Sequence, residues 1–93
     1  MCMIYFISNN KGEVKIGSTN DLKRRLTELQ ISSSDKLTPL YYIEEGDIQF
    51  EHHIQDVCQK YLISGEWFDI KVIENHLLKH PFYKEEMKII KRT

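Results

Sequence analysis

The sequence predicts a small α/β domain of the α+β kind, with a three-stranded, mainly antiparallel sheet flanked by helices, and three observations predict it. An aromatic and β-branched run near the N-terminus is followed by turn residues and then by an alternating run, the pattern of a β-hairpin. Two later stretches carry apolar residues at helical spacing behind good N-cap residues. No repeat, low-complexity tract or Gly/Ser/Pro-rich linker separates these segments, and 93 residues with 41% apolar content suffice for one modest core. Residues 1–93 therefore read as a single domain whose active surface lies outside that core.

The first strand is expected over Cys2–Ser8 and the second over Glu13–Gly17, joined by Asn9-Asn10-Lys11-Gly12. With Gly12 in the left-handed position that closes a type I turn with a bulge, Asn9 pairs with Glu13, Ile7 with Lys15 and Tyr5 with Gly17. Tyr5 and Lys15 then share one face, and Ile4, Phe6, Val14 and Ile16 share the other. Ser18, Thr19 and Asn20 are N-cap residues for a helix over about 21–30, striped by Leu22, Leu26 and Leu29. At about 100° per residue, Arg25 lies some 40° beyond the Leu29 edge of that stripe and can reach over the sheet, whereas Arg24 points away.

Leu40–Ile43 reads as a third strand with Pro39 at its start. A second helix is expected over about 47–62, striped by Phe50, Ile54, Val57 and Tyr61 and ended by Ser64 and Gly65, with Glu51 beside the stripe. Trp67 and Phe68 read as core anchors, and Val72, Ile73, Leu77 and Leu78 as a third helix stopped by Pro81. Residues 70–93 read as a C-terminal helical extension, its last helix running from Phe82 to Thr93 with Lys84, Lys88, Lys91 and Arg92.

The net charge of −1 provides no bulk attraction for nucleic acid, but its distribution is uneven. Residues 1–40 carry six basic and four acidic groups, residues 41–70 one and seven, and residues 71–93 six and three. An acidic middle between basic flanks suits a cation held beside a phosphate-binding surface, and equally a balanced, solvated exterior. Cys2 and Cys58 form neither a disulfide framework nor a zinc pattern and read as small apolar filler. No apolar run is long enough for a membrane span and no signal-peptide pattern stands at the N-terminus, so an intracellular protein, cytoplasmic or nuclear, is expected.

Met3-Ile4-Tyr5, Val14-Lys15-Ile16-Gly17-Ser18-Thr19 and Asp21-Leu22-Lys23-Arg24-Arg25-Leu26, taken together, resemble the opening of the GIY-YIG endonuclease superfamily. Tyr5 matches that family's first tyrosine, Arg25 its arginine, and Glu51, opening a helix after the third strand, its metal-binding glutamate. Gly65-Glu66-Trp67-Phe68 resembles the ending of a phage-associated branch, and the resemblance runs from about residue 3 to 69. Met3 replaces the first glycine; Lys15 replaces the second tyrosine, and some restriction enzymes of the superfamily also carry lysine at that second position. The family's histidine has no aligned counterpart.

What the resemblance implies is a DNA endonuclease dependent on Mg²⁺ or Mn²⁺, leaving 5′-phosphate and 3′-hydroxyl ends, with Tyr5, Lys15, Arg25 and Glu51 as its catalytic set. Phosphodiester hydrolysis needs an activated water, stabilised phosphoryl charge and help for the leaving oxygen. Glu51 suits the metal, since Mg²⁺ takes only one or two carboxylates. Arg25 suits a bidentate clamp on the phosphate. The base is left open between Tyr5, whose phenolate needs a nearby cation, and Lys15, which needs a lowered pKa. His53 and Glu66 are accessory candidates, and Lys11, Lys23, Arg24 and Arg25 are candidates for nucleic-acid contact. Singly each reads as a packed or solvated side chain; their joint spacing points to a site. The alternatives are a catalytically weak nucleic-acid-binding or regulatory module, and a protein-interaction domain using Tyr41, Tyr42 and the C-terminal helix. A chain this small spans few base pairs, so a long specific DNA site implies a homodimer or larger complex.

Overall fold

The computed structural model describes residues 2–90. Its centre is the expected hairpin, β1 (Met3–Ser8) and β2 (Glu13–Thr19), paired in the expected register with Tyr5 opposite Gly17 and Ile7 opposite Lys15. The turn takes left-handed backbone at both Asn10 (φ 61°) and Gly12 (φ 87°), so it is not the type I turn expected, yet the pairing survives. Asn9 accounts for this: its Oδ1 accepts from the Lys11 and Glu13 amides, and its own amide donates to the Glu13 carbonyl.

α1 (Leu22–Ile31) follows, capped by Asp21, whose side chain accepts from the Arg24 amide at 3.0 Å. β3 (Thr38–Ile43) pairs antiparallel with β1. The register slips between Ile7 and Phe6, where Pro39 has no N–H for the ladder. α2 (Ile48–Val57), capped by Asp47, is shorter than its apolar stripe predicts. A 3₁₀ turn, Gln59–Tyr61, lets the chain reverse into β4 (Leu62–Ser64) and β5 (Trp67–Asp69), joined through Gly65 in left-handed backbone (φ 54°).

The sheet therefore has six strands rather than three, in the order β4-β5-β2-β1-β3-β6, every pairing antiparallel, and the α+β class stands. β4 and β5 escape sequence reading because each has only three residues, too few to establish alternation, and β4 is exposed throughout. The expected third helix is a single wide π-type turn, Ile73–Leu77, in which the Leu78 amide donates to the Ile73 carbonyl. Pro81 bars its continuation and opens α3 (Pro81–Glu86) instead. The last expected helix stops there, and β6 (Lys88–Ile89) returns to pair with β3. Lys91 and Arg92 lie outside the described residues.

β1 sits mid-sheet with both faces covered, which is why it reads as an unbroken apolar run. On one face Ile4, Phe6, Val14 and Ile16 form the main core with Ile54, Cys58, Phe68 and the C-terminal elements. On the other, Tyr5, Ile7 and Leu37 form a smaller cluster beneath the leucines of α1. Cys58 is buried as expected, whereas Cys2 is exposed and fills nothing.

Candidate functional site

β5 pairs with β2 as far as Lys15, and the Glu66 carbonyl takes the Ile16 amide; beyond that point β2 runs on without a neighbour on that side. The Ile16 carbonyl is thus free of the ladder, and the Gln55 side chain on α2 donates to it at 2.8 Å. The same Gln55 nitrogen also reaches Glu51 Oε2 at 3.1 Å and Glu66 Oε2 at 3.2 Å. One amide thereby draws two carboxylates from separate elements to the end of the truncated strand pair.

Tyr5 arrives from the other face of the hairpin. Its phenol lies across Gly17, where any Cβ would overlap the Tyr5 Oη and Cζ, so the glycine lets the hydroxyl reach the strand end. There it accepts from Arg25 Nε at 3.4 Å, and Arg25 Nη1 is also 3.6 Å from Glu28. Lys15 Nζ lies 3.3 Å from Glu66 and 5.4 Å from the centre of the Trp67 ring, with its side chain only 13% exposed.

Tyr5, Lys15, Arg25, Glu51 and Glu66 are therefore brought together. Burial pushes the Tyr5 phenol above its usual range, the Arg25 guanidinium pulls it back, and Glu66 and Glu51 push it further up. Arg25 is held firmly charged, chiefly by its bond to Tyr5. Glu51 is 5% exposed and, among the described residues, has no cationic group within 4 Å. A buried carboxylate served by one neutral amide is costly to leave so.

The remaining candidates lie elsewhere. His53 projects from the far side of α2 and stacks on Phe50, with ring centres 6.4 Å apart, because the two-residue step from Glu51 turns it about 200° around the helix. Lys23 and Arg24 are exposed on the outer side of α1, and Lys11 pairs with Asp35 at 2.8 Å. Gln55 was not among the sequence candidates, although its place four residues after Glu51 puts it on the same helix face.

No group of three or more His, Cys, Asp and Glu side chains among the described residues could hold a metal. Glu51 and Glu66 still provide two hard carboxylates at one point, and Mg²⁺ or Mn²⁺ needs no more from protein when water and phosphate complete its shell. The donor set fits that ion and not a zinc or calcium cage.

Fold and site together define a small α+β domain that gathers two cations, two carboxylates and a phenol at a strand end. The chain belongs to the T5orf172 domain family, whose model matches residues 2–89. That family is a phage-associated, nuclease-like group of DNA-binding domains. This corrects the GIY-YIG resemblance, which rested on a few spaced residues: the match spanning most of the chain is to a different family. No curated protein and no solved structure matches the chain.

Proposed function

We propose that this domain binds DNA at the strand-end cluster and hydrolyses its phosphodiester bonds with Mg²⁺ or Mn²⁺. One observation carries the reading: Glu51 is a buried carboxylate without a cationic partner among the described residues, beside a hydroxyl-anchored arginine. Glu51, with Glu66, would hold the ion, which supplies an acidified water and neutralises phosphoryl charge. Arg25, oriented by Tyr5, clamps the phosphate, and Lys15 adds a second positive charge. Tyr5 serves as the neutral phenol that fixes the guanidinium, since its environment resists ionisation. Gln55 holds both carboxylates in place by donating to each. A DNA substrate implies work inside a cell, and a long recognition site implies a second copy of the domain.

The test is nicking of supercoiled plasmid, and cleavage of branched and single-stranded DNA, with Mg²⁺ or Mn²⁺, using wild type and Glu51→Ala prepared identically. Wild type cuts and Glu51→Ala does not, while still binding DNA; Arg25→Ala loses on the order of a hundredfold to a thousandfold in rate. Equal cutting by wild type and Glu51→Ala refutes the assignment. Binding without cutting in either points to a DNA-binding module.

A further inference from the structure

Beside the strand-end cluster, on the α1 face of the sheet, lies an open cavity of about 430 Å³. Trp67, Leu29 and Leu37 supply its apolar walls, the serines of the 32–34 loop a polar one, and Glu13, Asp35 and Lys15 also line it. Lys15 is also the residue paired with Glu66, so cavity and cluster share a wall. The reading above gives this cavity no role.

Its lining decides what fits. Glu13, which has no cationic group within 4 Å among the described residues, repels a phosphate, whereas Lys11 offsets Asp35, and the leucine and tryptophan walls offer nothing to a hydrated ion. A flat, uncharged ring with polar hydrogens on one edge satisfies both: its faces meet Trp67 and the leucines, and its edge donates to carboxylate oxygen. Each DNA base carries such an N–H or NH₂ on its pairing edge. Glu13 Oε1 already accepts from Asn9 Nδ2 at 2.9 Å, which fixes the carboxylate and leaves Oε2 for a ligand. We propose that the cavity receives one unpaired nucleobase of a DNA strand whose phosphate lies against Arg25 and Lys15. A paired base has its donor edge occupied, so the strand must be single there, or the base turned out of its stack. The inference rests on the DNA reading of the adjoining cluster and adds to it the form of substrate.

The chain has a single tryptophan, Trp67, so its emission reports directly on the cavity. Wild-type protein is titrated, without divalent metal, with a labelled short single strand, the same strand carrying one abasic site at each position in turn, and the matching blunt duplex, following anisotropy and Trp67 emission together. The intact strand binds and quenches Trp67. One abasic position weakens binding about tenfold and removes the quenching, the scale of a single base stacked on an aromatic wall. The duplex binds without quenching. Ser34→Tyr, on an exposed loop residue at the cavity, blocks the space without touching the core and brings intact and abasic strands to equal affinity. Anisotropy changes with no abasic effect and no quenching overturn the base pocket while leaving DNA binding standing. No anisotropy change with any DNA at low salt overturns both.

Discussion

Gly17→Ala is the sharpest probe of how the hairpin builds the site. The new Cβ would stand 2.5 Å from Tyr5 Cζ and closer still to the hydroxyl, well inside any real carbon contact. Tyr5 is 1% exposed, packed between the hairpin and α1, and cannot retreat without moving its neighbours. Overpacking of this kind costs about 1–3 kcal/mol. For a domain of this size each kcal/mol lowers Tm by about 4–8 °C, so a loss of roughly 5–20 °C is expected. Thermal and urea unfolding followed by circular dichroism measure it. Tyr5→Phe in the same background removes only the hydroxyl part of the clash, so the double variant recovers part of the loss and the two changes are non-additive. The displaced phenol also releases Arg25, and DNA binding weakens at temperatures where the variant is fully folded. A Tm within about 2 °C of wild type would refute the reasoning, because it would mean the phenol does not lie across the glycine.

Two further outcomes follow from the caps and the buried thiol. Asp47→Ala removes the 2.8 Å bond to the Phe50 amide and costs about 1 kcal/mol in urea unfolding, whereas Asp47→Asn keeps most of it. Burial pushes the Cys58 thiol up to about 12 from an ordinary 9, so its contribution to stability is complete below pH 9 and lost as pH rises toward 12. The unfolding free energy falls across that window, with Tyr5 and Tyr83, both raised by burial, adding to the loss above 10. Cys58→Ala shows a shallower fall, and a thiol reagent at neutral pH labels Cys2 alone in native protein.

Much of the site was legible where local chemistry and periodicity agreed. Asn9 to Gly12 announced a turn, and Gly12 in left-handed backbone then set Tyr5 opposite Gly17. Arg25 was placed over the sheet by helix geometry alone, and it meets Tyr5 there. What escaped depended on contacts distant in sequence. β5 is held by β2 rather than by its own residues, and without it nothing in the sequence shows that the β2 ladder stops short at Ile16. Gln55 has meaning only at that gap. The C-terminal residues were read as helix from their charges and leucines, but Pro81 and the return of β6 to β3 divide them. The family was misread because a handful of residues at familiar spacing carried the resemblance, and Lys15 already departed from it.

The two sides of the site are unequally anchored. Glu51 stands on α2, whose Ile54 is sealed in the main core, while Arg25 rides on α1, which has no fully buried residue and rests on three half-buried leucines. Local opening takes its toll first where little apolar surface is covered. Glu51 is accordingly a fixed jaw and Arg25 a compliant one, tethered by a single 3.4 Å bond to a phenol. On the proposed DNA reading, such a clamp would close onto a backbone of varying width without disturbing the carboxylate beneath it, and the same looseness makes α1 the element through which a mutation far from the cluster would first be felt.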